Sequence, residues 1–384
     1  MLTGSFPVDR FQTIPTPYYY YDLDLLRRTL QVVADNAPEH NFHVHYALKA
    51  NAAQEILQTI AQAGLGADCV SGGELEAALK AGIAPSRIVF AGVAKADWEI
   101  EVAIEADILC FNVESEAELR VIDDIACKKN KKARVCLRIN PDIDAHTHKN
   151  ITTGLSENKF GIQMSDLQEA VATCKQLNNI EFLGLHFHIG SQITDMQPFR
   201  ELCIRVNQLV EQVEQSGVEV KHINVGGGLG INYEHPNHLS IADFKAYFEV
   251  FRTMLRLRPE QTLHFELGRS IVAPCGSLIT RVLYVKKGKN KQFAIVDAGM
   301  TDLIRPALYN AFHRIENISN NSELTETYDV VGPICESSDV FVRNYEMAPV
   351  KRGDLLAIRS AGAYGEIMAS QYNLRRLPGH ITNL

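Results

Sequence analysis

His43-Val-His-Tyr-Ala-Leu-Lys49-Ala-Asn51 reads as a short strand that runs straight into a helix start. Val44, Tyr46 and Leu48 alternate with their neighbours at the two-residue period of a strand, and Ala50-Asn51 open a helical pattern. Lys49 therefore stands where a strand ends. An apolar strand behind it takes water away from the amine and favours its uncharged form, making it a candidate nucleophile or Schiff-base former. A lysine that simply reaches from a strand end into solvent is the ordinary reading of this stretch alone.

The same unit recurs outward from it. Strand-like runs at 43–48, 67–70, 87–91, 108–113, 134–139, 182–189, 222–225 and 263–267 are parted by helical patterns such as 53–63, 74–80, 115–128, 166–177, 198–215 and 241–257. Eight strands alternating with helices predict a (β/α)8 TIM barrel over 25–274, with an open doubly wound sheet as the rival. The alternation stops near Arg269. Runs at 277–285, 292–296, 327–331, 339–345 and 354–358, separated by Gly, Asn and Pro turns, predict a second domain. It is expected to be mainly antiparallel and β-sandwich-like, built from 1–24 plus 275–384. Within it only the stretch around 302–312 looks helical. The aromatic strand Tyr18–Tyr21 should join this domain, and Asp22 should cap a helix running to about Asn36. Residues 141–159 lack periodicity and are expected to form a lid.

A formal net charge of −8 and a pI near 5.9 argue against a nucleic-acid partner. The hydrophobic fraction of 46% and charged fraction of 22% are those of a soluble globular protein. No basic stretch followed by an apolar one opens the chain, and no apolar run nears membrane-spanning length, so neither a secretory signal nor a membrane partner is expected. Eight scattered cysteines without a CxxC pair fit a reduced cytoplasmic enzyme.

Position then singles out the chemistry. Barrels of this kind carry their active sites at the C-terminal ends of the strands. Lys49 ends the first strand, and Asp68 lies in the second, followed by Ser71-Gly-Gly73. His188 and Gly190-Ser191 close the sixth, Gly226-Gly-Gly228 the seventh, and Glu266-Leu-Gly-Arg269 the eighth. Three glycines let backbone amides approach an anion, where a tight turn is their plain role. Arg269 can add a bidentate contact to phosphate or carboxylate, and Ser191 can donate to the same group. His188 can stack on a planar ligand or be an ordinary core histidine. Glu266 suits a protonated ring nitrogen. A Schiff-base lysine, a phosphate cradle, a stacking ring and that carboxylate together point to pyridoxal 5'-phosphate. The pairs His43/His45, His146/His148 and His186/His188 have no carboxylate or thiol cluster to complete a shell, so no metal is expected.

Several motifs carry a family resemblance. Tyr46-Ala-Leu-Lys-Ala-Asn51, His186-Phe-His-Ile-Gly-Ser-Gln192, Gly226-Gly-Gly-Leu-Gly230, Glu266-Leu-Gly-Arg269, Gly332-Pro-Ile-Cys-Glu336 and Ala361-Gly-Ala-Tyr-Gly365 resemble the alanine-racemase-fold amino-acid decarboxylases. Asn140-Pro-Asp-Ile-Asp-Ala-His-Thr-His148, Thr153-Gly154 through Asn158-Lys-Phe-Gly161, and the stretch from Asp297 to Tyr309 resemble the diaminopimelate branch of that family. The likeness spans about Thr16 to Tyr372. Leu267 departs from it, since the family usually has proline there, and the chain is compact for the group.

The resemblance implies decarboxylation of meso-2,6-diaminopimelate to L-lysine and CO2, in a head-to-tail homodimer with shared active sites. It places the cofactor on Lys49 and its ring nitrogen on Glu266. Asp68, His188, Ser191, Gly226, Gly227, Gly228, Gly268, Arg269 and Tyr364 complete the cofactor set. It gives substrate to Arg269, Arg305, Tyr309, Glu336 and Tyr364, with Cys335 and Glu336 reaching in from the partner subunit. Lys49, His188, Glu266 and Cys335 are the catalytic candidates. Cys335 is a plausible proton donor, and its plain role is a small core residue. A related decarboxylase of another basic or carboxylated amine, or a non-catalytic homologue, stays open at this point.

Overall fold

The computed structural model describes residues 6–144 and 159–383. Its contacts divide the chain into two units. One holds Leu30–Gly230 and Asp243–Gly268; the other holds Met1–Thr29, Ile231–Ala242 and Arg269–Leu384.

The strands, in chain order, begin with β1 (Tyr18–Tyr21) of the second unit. The first unit then supplies β2 (Phe42–Ala47), β3 (Gly66–Cys69), β4 (Ile88–Phe90), β5 (Cys110–Val113), β6 (Ala133–Arg138), β7 (Ile180–His186), β8 (His222–Asn224) and β9 (Thr262–Leu267). These eight pair in parallel in sequence order, and the barrel closes because β9 returns to β2, with Val44 opposite Phe265 and His45 opposite Glu266. That closure excludes the open doubly wound sheet. Leu267 keeps its place in the ladder opposite Tyr46, so the departure from proline leaves the register intact.

The pleat explains where β9 sends its side chains. Phe265 packs against Phe248 and Phe251 of the helix Phe244–Met254, with ring centroids 5.0 and 5.2 Å apart. Each such pair is worth about 0.5–1.5 kcal/mol beyond its buried area. The neighbouring positions His264 and Glu266 point the other way, where Glu266 meets side chains of β5, β7 and β8. Helix starts are capped locally. The Ser71 and Ser115 hydroxyls accept from the backbone N–H of Glu74 and Glu118, while those glutamates accept from the N–H of Val70 and Glu114.

The second unit adds β10 (Gly276–Lys287), β11 (Gln292–Val296), β12 (Ile315–Asn317), β13 (Glu326–Val331), β14 (Val340–Met347), β15 (Leu355–Ile358) and β16 (Gly379–Thr382). They form one mainly antiparallel sheet, ordered β12-β15-β10-β11-β13-β14, with β1 paired to β10 and β16. The pairs β1/β16 and β11/β13 run parallel. The long β10 serves both halves: Leu278–Arg281 face β15, and from Val282 onward the strand faces β11, with a bulge between Val282 and Tyr284. The helical stretch expected around 302–312 narrows to Arg305–Tyr309, with Pro306 in its first turn. Asp22 accepts from the Leu25 N–H at 2.9 Å, the cap its position suggested.

Candidate active site

Lys49 lies in a single tight turn, Leu48–Ala50, immediately beyond β2. Its Nζ donates to Asp68 Oδ2 at 2.5 Å. The Lys49 side chain is 35% exposed, whereas Asp68 is fully buried. Burial, and next the nearby Glu266 charge, raise the Asp68 carboxyl to about 6 against the opposing pull of Lys49. Asp68 Oδ1 is buried with no partner among the described residues. Gly268, at the end of β9, sits against this turn: a Cβ there would lie 3.0 Å from that of Ala50.

Glu266 is a buried carboxylate that accepts from three side chains. Oε1 accepts from Asn112 Nδ2 at 2.9 Å and Asn224 Nδ2 at 2.7 Å, and Oε2 from His186 Nε2 at 3.0 Å. Burial would push this carboxyl up. The charge and hydrogen bond of His186, with Lys49 nearby, outweigh it and hold Glu266 below the usual range. The carboxylate is thus kept ionised out of water. Asn112 and Asn224 are the partners of Glu266 that the motifs missed, and His186 stood in a motif without this role; their signal is a polar side chain at an inward position of β5, β8 and β7.

His188 follows β7 and accepts on Nδ1 from the Gly227 N–H at 3.2 Å. This contact leaves the proton of the neutral ring on Nε2. Burial, then the positive charges of Arg138 and Lys49, hold its pKa well below the ordinary histidine value. The glycines after β8 are required by close approach. A Cβ at Gly227 would stand 2.0 Å from the Glu266 carbonyl oxygen, and one at Gly226 would stand 2.4 Å from that of Phe187. Gly226 and Gly228 also have φ of +69° and +110°. Ser191 is half-buried in the loop after β7. Lys49, Asp68, His188, Ser191, the three glycines, Glu266 and Gly268 thus share the C-terminal end of the barrel, and all belong to one unit.

The second unit assembles a different group. Arg269 and Arg305 are both buried, and each donates through Nη1 to the hydroxyl of Tyr233, at 2.7 and 3.0 Å. The Arg269 guanidinium lies 4.8 Å from the Tyr364 ring centroid. Tyr309 is half-buried at the end of the Arg305 helix. Cys335 and Glu336 are exposed. The Cys335 N–H donates to Asn373 Oδ1 at 3.1 Å, and Asp339 ties the loop by accepting from Ile334 and Met300.

His186 faces Glu266 while His188 faces Gly227, so that histidine pair splits between two partners. His146 and His148 fall outside the described residues, as does most of the lid expected over 141–159. Among the described residues no group of three or more His, Cys, Asp or Glu side chains has metal-binding geometry.

The donor set fits pyridoxal phosphate. An amine at the barrel mouth, an ionised carboxylate already braced by three donors, and a neutral imidazole with Nδ1 occupied are the groups an aldehyde, a pyridinium nitrogen and an aromatic ring require.

Comparison with known proteins agrees. The pyridoxal binding domain of the pyridoxal-dependent decarboxylases matches residues 23–273. A curated diaminopimelate decarboxylase of Bacteroides thetaiotaomicron is 58% identical over 383 residues, covering 100% of this chain and 99% of that one. The crystal structure of diaminopimelate decarboxylase from Helicobacter pylori complexed with L-lysine has a TM-score of 0.92 at 43% identity, covering 98% of this chain and 94% of that one. The diaminopimelate decarboxylase of M. jannaschii in co-complex with L-lysine has a TM-score of 0.91 at 35% identity, with 99% and 90% covered. The chain belongs to the pyridoxal-dependent decarboxylases and, within them, to the diaminopimelate decarboxylase family.

Proposed function

We infer that this chain is a pyridoxal 5'-phosphate-dependent decarboxylase that converts meso-2,6-diaminopimelate to L-lysine and CO2. The observation that carries the chemistry is Glu266, a buried carboxylate held ionised by Asn112, Asn224 and His186. The substrate follows from full-length identity to diaminopimelate decarboxylases. Pyridoxal phosphate, when bound, supplies a carbonyl for the substrate amine and an electron sink for the bond to CO2.

The residues divide that work. Lys49 offers the amine that links the cofactor covalently, and the buried Asp68 carboxyl accepts from that amine. Glu266 holds the ring-nitrogen proton in place, which favours loss of CO2 over racemisation. His188, with Nδ1 occupied by Gly227, presents a flat neutral face. Gly226, Gly227, Gly228, Gly268, Ser191, Arg269 and Tyr364 hold the phosphate. Arg269, Arg305, Tyr309 and Tyr364 hold the substrate, the arginines keeping the carboxylate that survives the reaction. Glu336 receives the distal ammonium, and Cys335 returns a proton to the carbon that loses CO2.

The exposure of Cys335 and Glu336 in a single chain supports a homodimer in which they serve the partner's site. Eight free cysteines support a cytoplasmic location. No helix among the described residues is long and apolar enough to cross a membrane. The test is product identity: loaded protein given meso-diaminopimelate should form lysine and CO2 one for one, and failure to form lysine contradicts the reading.

A further inference from the structure

Arg305 spends both protons of Nη1 inside the protein. One goes to the Tyr233 hydroxyl at 3.0 Å and the other to His313 Nε2 at 2.8 Å. His313 can accept because its Nδ1–H donates to the Arg359 carbonyl at 2.8 Å. Burial first, then the charge of Arg305, presses the His313 pKa to about 3, so it stays a neutral acceptor. Arg305 Nε is buried with no partner, and Arg305 makes no ion pair among the described residues. What remains is the Nε edge of the fork, the geometry that grips a carboxylate with two parallel bonds.

Tyr233 couples this edge to a second guanidinium. Its hydroxyl oxygen also accepts from Arg269 Nη1 at 2.7 Å, so both lone pairs face cations. The Arg305 guanidinium lies 4.9 Å from the Tyr233 ring centroid, and His313 meets the same ring edge-on at 5.0 Å. The hydroxyl proton has no acceptor among the described residues. Two buried like charges sharing one oxygen repel unless that oxygen carries negative charge or an anion joins them.

We propose that Tyr233 is the positioning residue that ties Arg269 and Arg305 into one clamp for a ligand carboxylate, and thereby selects substrates with a second carboxylate. The proposal rests on the decarboxylase reading given above. Burial alone would raise the Tyr233 phenol, but the two arginines outweigh it and lower it below the ordinary tyrosine value. A carboxylate in the clamp removes part of that pull, so ligand binding and phenol ionisation oppose each other reciprocally.

The test compares the wild-type holoenzyme with Tyr233→Phe, which keeps the ring and removes only the oxygen. KM for meso-diaminopimelate should rise about ten- to a hundredfold, the loss expected for charge-assisted bonds, while kcat falls by a smaller factor. Ultraviolet titration, wild type minus variant, should show one phenol ionising below the ordinary range, and saturating L-lysine should move it upward. An unchanged KM in a variant that melts like wild type overturns the proposal, as does a difference titration without that phenol. If Tyr233→Phe does not fold, the wild-type titration with and without L-lysine decides alone. A wild type that releases no CO2 from meso-diaminopimelate overturns the functional reading instead, and the titration still decides whether Tyr233 ties the two arginines.

Discussion

Lys49 Nζ stands 2.5 Å from Asp68 Oδ2, and the receiving carboxylate is entirely shielded from solvent. A buried carboxylate with a raised pKa favours the fold while protonated, and that contribution fades as pH rises through about 6. Above that pH the lysine is what offsets the buried charge. Lys49→Ala should therefore lower the melting temperature of cofactor-free protein more at pH 8 than at pH 5. Equal losses at both values would show that Asp68 is not charged in the fold.

Glu266→Gln keeps the shape but turns an amide nitrogen toward one of the donors Asn112, Asn224 or His186. A buried donor left without a partner costs roughly 1–3 kcal/mol of stability. Without the charge beneath the ring nitrogen, kcat should fall about a hundredfold or more, the scale seen when a preorganised electrostatic partner is removed. Steady-state kinetics at saturating cofactor measure this, and a kcat within a factor of about two of wild type would remove Glu266 from the chemistry.

The opposite end of the barrel should make the fold acid-sensitive. His45 Nε2 meets His264 Nδ1 at 2.9 Å, and the His264 ring stacks on those of His43 and His222. Burial lowers His45 to about 4 and His264 well below its ordinary value. Neutral rings in the fold face rings that protonate near 6.5 once unfolded, so their contribution is complete above that pH and lost as pH falls toward 4. His45 alone accounts for roughly 3 kcal/mol over this window. Buried carboxylates such as Asp68, raised to about 6, trend the other way over this window, so the comparison is with His45→Gln. Wild-type urea midpoints should drop relative to the variant's between pH 6.5 and about 4.5, and parallel profiles would contradict the account.

Much of this was legible early, for reasons visible in particular residues. The eight barrel strands show because each alternates with an amphipathic helix, and Lys49, His188 and Glu266 show because they close strands. Ile315–Asn317 and Gly379–Thr382 are too short to carry a period. Asn112 and Asn224 look like ordinary strand residues until the barrel closes and turns both toward one carboxylate. Tyr233 was invisible for a similar reason: its partners lie 36 and 72 positions away, and only the folded chain brings them to one oxygen.

Shared sites predict complementation. Lys49→Ala and Cys335→Ala should each be nearly inactive. Refolded together in equal amounts, about half the dimers pair randomly as mixed, and each mixed dimer holds one intact site, so about a quarter of wild-type activity should return. No recovery, with exchange confirmed by mass spectrometry of tagged chains, would place Cys335 in its own subunit's site.

The central claim concerns which amino acid loses CO2. The direct measurement is kcat/KM for CO2 release by the loaded enzyme from meso-diaminopimelate, lysine, ornithine and arginine, side by side. The clamp of Arg269 and Arg305 requires a carboxylate that outlasts the reaction, and only meso-diaminopimelate in this panel carries one. Its kcat/KM should exceed each of the others by at least about a hundredfold, the discrimination expected when a charged site is left unpaired. Comparable or faster release from ornithine, arginine or lysine would contradict the account.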